Sequence, residues 1–274
     1  MSLRINTNVA ALQTHRQLVD TDNRLSVSLE RLSSGYRINH AKDDVSGLAI
    51  SNKLNMEIKS LGMAQQNASQ AQSVLQVAEG GTNQIEAITE RLKELATSAA
   101  SDNTDAAGRS NLNGEATSLL AEIDRIANST KYGDTALLSG VMSFTFQIGY
   151  ANSSDDQINI STTSGLTKAS LGLTGLNLTT TAGAQSALTS IENSLTSINV
   201  VTGQIGAAQS RLEFASANLA ISVENLSASQ SAIRDVDMAG EMTNLTRNQI
   251  LLQAGTAMLA QANTIPQTVL SLLK

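Results

Sequence analysis

Apolar and polar positions follow a helical period through most of the chain and a strand period in one short stretch of its middle. In residues 3–33, Ala11, His15, Leu18, Asp22, Leu25, Leu29 and Leu32 fall at alternating spacings of four and three, the seam of a coiled coil. His15 and Asp22 are its polar members and are expected at the seam's edge, in water. SSGYRINHAKDDVSG at 33–47 breaks the pattern and reads as a connector, with Gly35 and Gly47 at turn or cap positions. Helical spacing returns from about 48 to 99 through Leu54, Ile58, Leu61, Leu75, Ala78, Ile85, Ile88, Leu92 and Leu95. Gly80 and Gly81 interrupt it. Such a pair costs about 2 kcal/mol against alanine, so the helix either bends there or is carried through by packing. SDNTDAAG at 101–108 is a turn, and Leu112, Ala116, Leu119, Ile123 and Ile126 mark a short helix ending near Asn128.

The strand period appears next. Met142, Phe144, Phe146 and Ile148 alternate with polar or small residues, ANSSDD turns the chain, and Ile158 and Ile160 alternate in a second strand. This predicts one β-hairpin over 142–149 and 157–162, with Met142, Phe144, Phe146 and Ile148 on the packed face. Residues 162–184 fit neither period. From Leu188 to Leu226, twelve positions alternate spacings of three and four without a slip, and nine of the twelve are apolar. The run predicts a helix of about 40 residues, some 60 Å long at 1.5 Å per residue.

The last helix opens after Asp235 and Asp237. Leu251, Ala254, Met258, Ala262, Ile265, Val269 and Leu272 form one stripe, widened by Leu252, Leu259, Leu270 and Leu273. No charge lies between Arg247 and Lys274. Gln249, Gln253, Gln261, Asn263, Pro266 and Gln267 argue against a membrane span, so the stripe is expected to be covered by other helices. The order helices, hairpin, helices brings the two ends together as one antiparallel pair. The fold class is therefore mainly α: a long antiparallel coiled-coil helical bundle with a small β-hairpin region.

Composition narrows the chemistry. The 274 residues include three Phe, three Tyr, no Trp and no Cys, so the core must be aliphatic and the helices must pack through small side chains. Zero Cys excludes disulfides, thiolate metal sites and a thiol nucleophile. A net charge of −6 argues against a general phosphate-backbone binder. MSLRINTNVAALQTHRQLVD lacks the apolar run and cleavage site of a secretory signal, so any export is expected to use another route.

No catalytic constellation emerges. His15 and His40 are far apart, and neither a zinc-protease, a P-loop nor a dinucleotide motif occurs. Asp43–Asp44 and Asp155–Asp156 sit in turns and read as caps rather than cation ligands. EGGT at 79–82 follows a helix, not a strand, so it is no phosphate loop. Asn67, Asn152 and Asn177 open Asn-x-Ser/Thr triplets, expected by chance in so polar a chain. No enzyme activity, cofactor or metal is expected.

Two terminal stretches carry a more specific signal. RLSSGYRINHAKDDVSGLAIS at 31–51 resembles the N-terminal signature of bacterial flagellins, and SAIRDVDMAGEMTNLTRNQILLQAGTAMLAQANTIPQTVLSLL at 231–273 resembles their C-terminal one. INTNVAAL at 5–12 and ERLKELATSA at 90–99 add to the match. The resemblance covers roughly 1–140 and 185–274, and the short middle makes this a minimal form without outer variable domains.

The resemblance implies a secreted, extracellular filament subunit for motility. A terminal coiled-coil domain of 1–45 and 231–274 would form the inner tube, and a helical rod domain of 46–230, with its hairpin at about 141–162, the outer. Inner assembly would rest on Leu18, Leu25, Leu29, Leu32, Leu251, Met258, Ile265, Val269 and Leu272. The implied partners are further copies of the chain, hook–filament junction and cap proteins, a cytoplasmic export chaperone and the flagellar type III export apparatus. Recognition by Toll-like receptor 5 would use Arg91, Leu95 and Glu115, with Glu90 and Lys93 departing from the family's commoner pattern. The ends are expected to fold only on joining the filament.

Two other readings remain beside this one. A hook–filament junction protein has related termini but matches less closely in QAGTAMLAQAN and the Leu-rich end. A membrane-active or signalling coiled-coil protein would want basic residues along the polar face of its last helix.

Overall fold

A computed structural model of the chain describes residues 7–272, with side chains for 7–264. Among these residues the elements run α1 (Val9–Ser34), α2 (Val45–Ala100), α3 (Ala106–Ser129), β1 (Lys131–Tyr132), β2 (Thr135–Ala136), β3 (Ser143–Gln147), β4 (Gln157–Ser161), α4 (Thr181–Arg234) and α5 (Met238–Leu272), with a single 3-10 turn at Ser154–Asp156. The fold is mainly α, with two small antiparallel ribbons. Its contacts group into two compact units, Met1–Met56 with Asn225–Lys274, and Glu57–Glu224.

The Glu57–Glu224 unit holds an aliphatic core. Leu75, Ile85 and Leu92 of α2, Ile123 of α3 and Ile191, Ile198 and Ile205 of α4 are almost wholly buried, interleaved with Ala71, Ala78, Ala96, Ala99, Ala127 and Ala187. Small residues between branched ones let helix axes approach closely, which replaces the missing aromatics. Of the predicted α4 heptad, Ile191, Ile198, Ile205, Leu212 and Leu219 are buried. The other half of the seam lies one residue earlier than predicted, on Ala187, Ser194, Val201 and Ala208, three of which carry small side chains where Leu188, Leu195 and Gln209 would have been large.

Helix α2 passes through both glycines unbroken. Gly80 faces open space, whereas a Cβ on Gly81 would lie 2.7 Å from Leu138 Cδ1 and 2.8 Å from Thr130 Oγ1. Packing, not bending, therefore explains Gly81: the chain leaving α3 crosses α2 too closely for any side chain.

The hairpin forms as predicted, with β3 and β4 in the register Phe144↔Ile160 and Phe146↔Ile158. Met142, Ile158 and Ile160 are buried, and Phe144, Phe146 and Ile148 pack partly buried against the core. The two Phe rings stack 5.9 Å apart. The short β1–β2 ribbon has too few residues to show any period. After β4 the chain runs without regular structure to α4, yet Leu166, Leu171, Leu173 and Leu178 are buried. Side chains of neighbouring helices hold its backbone: Asp124 accepts from Lys168 N–H (2.9 Å), Asn113 from Leu178 N–H (2.9 Å) and Gln204 from Thr163 N–H (3.0 Å).

In the other unit the two connectors lock together. Gly35 ends α1 in the left-handed region, φ 75°, where glycine is favoured. Its carbonyl accepts from Val236 N–H (3.0 Å), and Arg37 N–H donates to the Arg234 carbonyl (2.7 Å). The Arg234 guanidinium lies 4.3 Å from the centre of the Tyr36 ring. The connector between α1 and α2 is thereby fastened to the one between α4 and α5.

Candidate functional site

Helices α1 and α5 pack antiparallel. Near one end Asn8 Nδ2 donates to the Ala262 carbonyl (2.8 Å); near the other Arg31 pairs with the buried Glu241 at 3.8 Å. Midway, a Cβ on Gly255 would stand 2.9 Å from Leu18 Cδ1, so glycine marks the close approach.

The seam is a heptad, but only half of it is the predicted one. On α1, Ala11, Leu18, Leu25 and Leu32 are partly buried as expected, alternating with Thr14, Thr21 and Ser28 rather than with His15, Asp22 and Leu29. Thr14 and Thr21 satisfy their hydroxyls on the carbonyls of Ala10 and Gln17, so burying them leaves no polar group unpaired. His15 and Asp22 are exposed, as predicted for edge positions. On α5 the covered positions are Glu241, Leu245, Asn248, Leu252, Gly255, Leu259 and Ala262. The predicted stripe through Leu251, Ala254 and Met258 is rotated off this seam.

A second apolar face is therefore left uncovered on each helix. Leu29 is 51% exposed, Leu251 48% and Met258 61%, with Val9, Leu12, Val19 and Ile250 also exposed. The remaining predicted assembly positions, Ile265, Val269 and Leu272, lie outside the residues whose side chains are described. Contiguous exposed apolar surface on a helix pair marks a place where something else packs.

The predicted receptor positions lie in the other unit. Arg91 and Glu115 are half-exposed and paired at 3.0 Å across α2 and α3, with Glu94 also on Arg91 at 2.7 Å. These bonds, Glu94's first, hold the guanidinium above its ordinary pKa. Leu95 is only 3% exposed and belongs to the aliphatic core. The structure brings Arg91 and Glu115 together at the surface and keeps Leu95 beneath it.

The acidic turns are caps. Asp44 accepts from Gly47 N–H (2.8 Å) at the start of α2, and Asp156 accepts from Ala151 N–H (2.9 Å) inside the hairpin turn. Asp43 accepts from the His40 and Asn39 amides; these bonds, His40's first, hold its carboxyl below the usual range. Among the described residues no cluster of three His, Asp or Glu side chains could hold a metal ion. No helix searched there is long and apolar enough to cross a membrane.

Comparison with known proteins agrees with the terminal resemblance. Residues 5–143 match the bacterial flagellin N-terminal helical region and 188–273 the C-terminal helical region. A flagellin of Halalkalibacterium halodurans is 38% identical over 271 residues, covering 98% of this chain and 99% of that one. Among solved structures, Bacillus cereus flagellin aligns over 56% of this chain and 88% of its own, at TM-score 0.50 and 26% identity. A putative flagellar hook-associated protein of Vibrio parahaemolyticus aligns over 70% of this chain and all of its own, at TM-score 0.58. Its 12% identity makes that a likeness of fold alone.

Proposed function

The chain belongs to the bacterial flagellin family, whose members are structural proteins and not enzymes, and it is a structural subunit of the flagellar filament; from that premise we propose that its copies polymerise through the uncovered faces of α1 and α5. The carrying observation is that the terminal helices spend one apolar face on each other and leave a second, with Leu29, Leu251 and Met258, in water. Among the described residues nothing of the same chain covers that face, and further copies can. The filament lies outside the cell, and the export apparatus, chaperone, junction and cap proteins implied by the terminal signatures follow from this reading. Folding of the ends is completed on assembly, because a helix pair wetted on both outer sides gains too little burial to hold its order.

Electron microscopy of full-length Leu251→Asp tests this. Leu251 is off the α1–α5 seam, so helix content should match the parent while filaments fail to form. Filaments of parental length and yield would overturn the reading.

Within the same proposal, recognition by Toll-like receptor 5 uses the exposed Arg91–Glu115 pair, with Leu95 supporting it from the core. In a receptor reporter assay on monomer, Arg91→Ala should lower signalling. Parental signalling from that variant would refute the assignment.

A further inference from the structure

Met258 carries chemistry that the filament reading does not use. The chain has no cysteine, so methionine is its only sulfur. Of the six methionines described, Met142 is 3% exposed inside the core, while Met56, Met63, Met238, Met242 and Met258 are each at least half exposed. Methionine is ordinarily an interior residue. Met258 alone among these five lies on the uncovered α5 stripe with Leu251 and Ala254, at spacings of three and four along a helix uncharged after Arg247.

We propose that Met258 is an oxidative modification site that gates assembly: peroxide converts its thioether to the sulfoxide in the free chain, and the modified chain no longer assembles normally. This rests on the reading of the α5 stripe as an assembly surface. The sulfur lone pair attacks one peroxide oxygen, the O–O bond breaks, an S–O bond forms, and water leaves. Sulfur loses two electrons and the peroxide gains them. The product replaces a soft apolar tip with a strong acceptor. In an apolar contact that acceptor has no donor, and an unpaired buried polar group opposes association. Because every subunit repeats the contact, the penalty appears directly in the concentration needed for polymerisation.

The test uses the purified full-length chain, hydrogen peroxide as the probe, peptide mass spectrometry to read the sites, and sedimentation to read the polymerisation threshold. Oxidation of the monomer should produce sulfoxide at Met258 but not at Met142, and should raise the threshold about tenfold or more, the ratio expected from one unpaired polar group per contact. Preformed filaments should resist oxidation at Met258. Met258→Leu keeps the volume and apolarity without the sulfur, so its threshold, measured against its own untreated value, should not move after the same treatment. An unchanged threshold in the oxidised parent overturns the proposal. So does an equal loss in Met258→Leu, which would assign the effect to the other exposed methionines. If Leu251→Asp assembles normally, the surface itself is misread; if Leu251→Asp fails to assemble while oxidised parent succeeds, only the proposal on Met258 falls.

Discussion

Gly80 and Gly81 stand side by side within α2, so changing either to alanine gains the same helix propensity, about 1 kcal/mol. Their surroundings differ. Around Gly80 no atom lies within 4 Å of the added Cβ, so Gly80→Ala should stabilise the chain by nearly the full propensity gain. At Gly81 the Cβ meets Leu138 Cδ1 at 2.7 Å, Thr130 Oγ1 at 2.8 Å and Thr130 Cγ2 at 3.0 Å. Neither neighbour can turn away freely. Leu138 is 2% exposed, and Thr130 Oγ1 donates to the Ile126 carbonyl at 2.8 Å. Overpacking of this kind costs about 1–3 kcal/mol, which cancels or exceeds the gain. Gly81→Ala should therefore be neutral to about 2 kcal/mol destabilising, and the two variants should differ by about 1–3 kcal/mol. Urea unfolding followed by circular dichroism measures the difference as a shift in midpoint at constant slope. Equal shifts in the same direction for both alanines would show that α2 passes Leu138 and Thr130 with room to spare.

Phe146→Asp puts a charge on the packed face of the hairpin and should cost at least about 2 kcal/mol; an unchanged melting temperature would mean the face is misassigned. Asp124→Ala removes both the acceptor of the Lys168 amide and its 3.0 Å ion-pair partner, leaving the amide unpaired at about 1.5–3 kcal/mol, so protease should cut within 162–180 faster than in the parent. The lowered pKa of Asp43, due first to the His40 amide, means the folded chain favours the carboxylate; its contribution is complete above the ordinary carboxylate pKa and is lost as pH falls through the lowered value. Asp43→Asn should accordingly lose that part of the acid dependence of stability in a pH series of melting curves. Limited proteolysis of free monomer should trim both ends to a core of about 45–230 that no longer polymerises, whereas protection of 9–33 and 240–262 in hydrogen exchange would refute coupled folding of the ends.

Repeating patterns made most of the architecture legible in the sequence. A period of about 3.5 over tens of residues can only be a packed helix, and a period of two between turn residues only a strand, so α1, α2, α4, α5 and the hairpin were written in the order of side chains. The terminal signatures were equally legible, being long runs of specific residues. What periodicity does not contain is phase. A wide apolar stripe offers two seams one residue apart, and the partner helix chooses the one along which it can come closest. On α4 that choice put Ala187, Ser194, Val201 and Ala208 in the seam in place of Leu188, Leu195, Thr202 and Gln209; on α1 and α5 it put Thr21, Ser28 and Gly255 inside and left Leu29, Leu251 and Met258 outside. Nor does periodicity reach the segment between β4 and α4, whose backbone is satisfied by Asn113, Asp124 and Gln204 from distant helices instead of by its own repeat. Leu95 makes the same point at one residue. Four positions after Arg91 on one helix, it is core while Arg91 is surface, because α2 is covered on that side only along part of its circumference. Sequence determines which residues seek cover; the distance at which two backbones can meet decides which of them receive it.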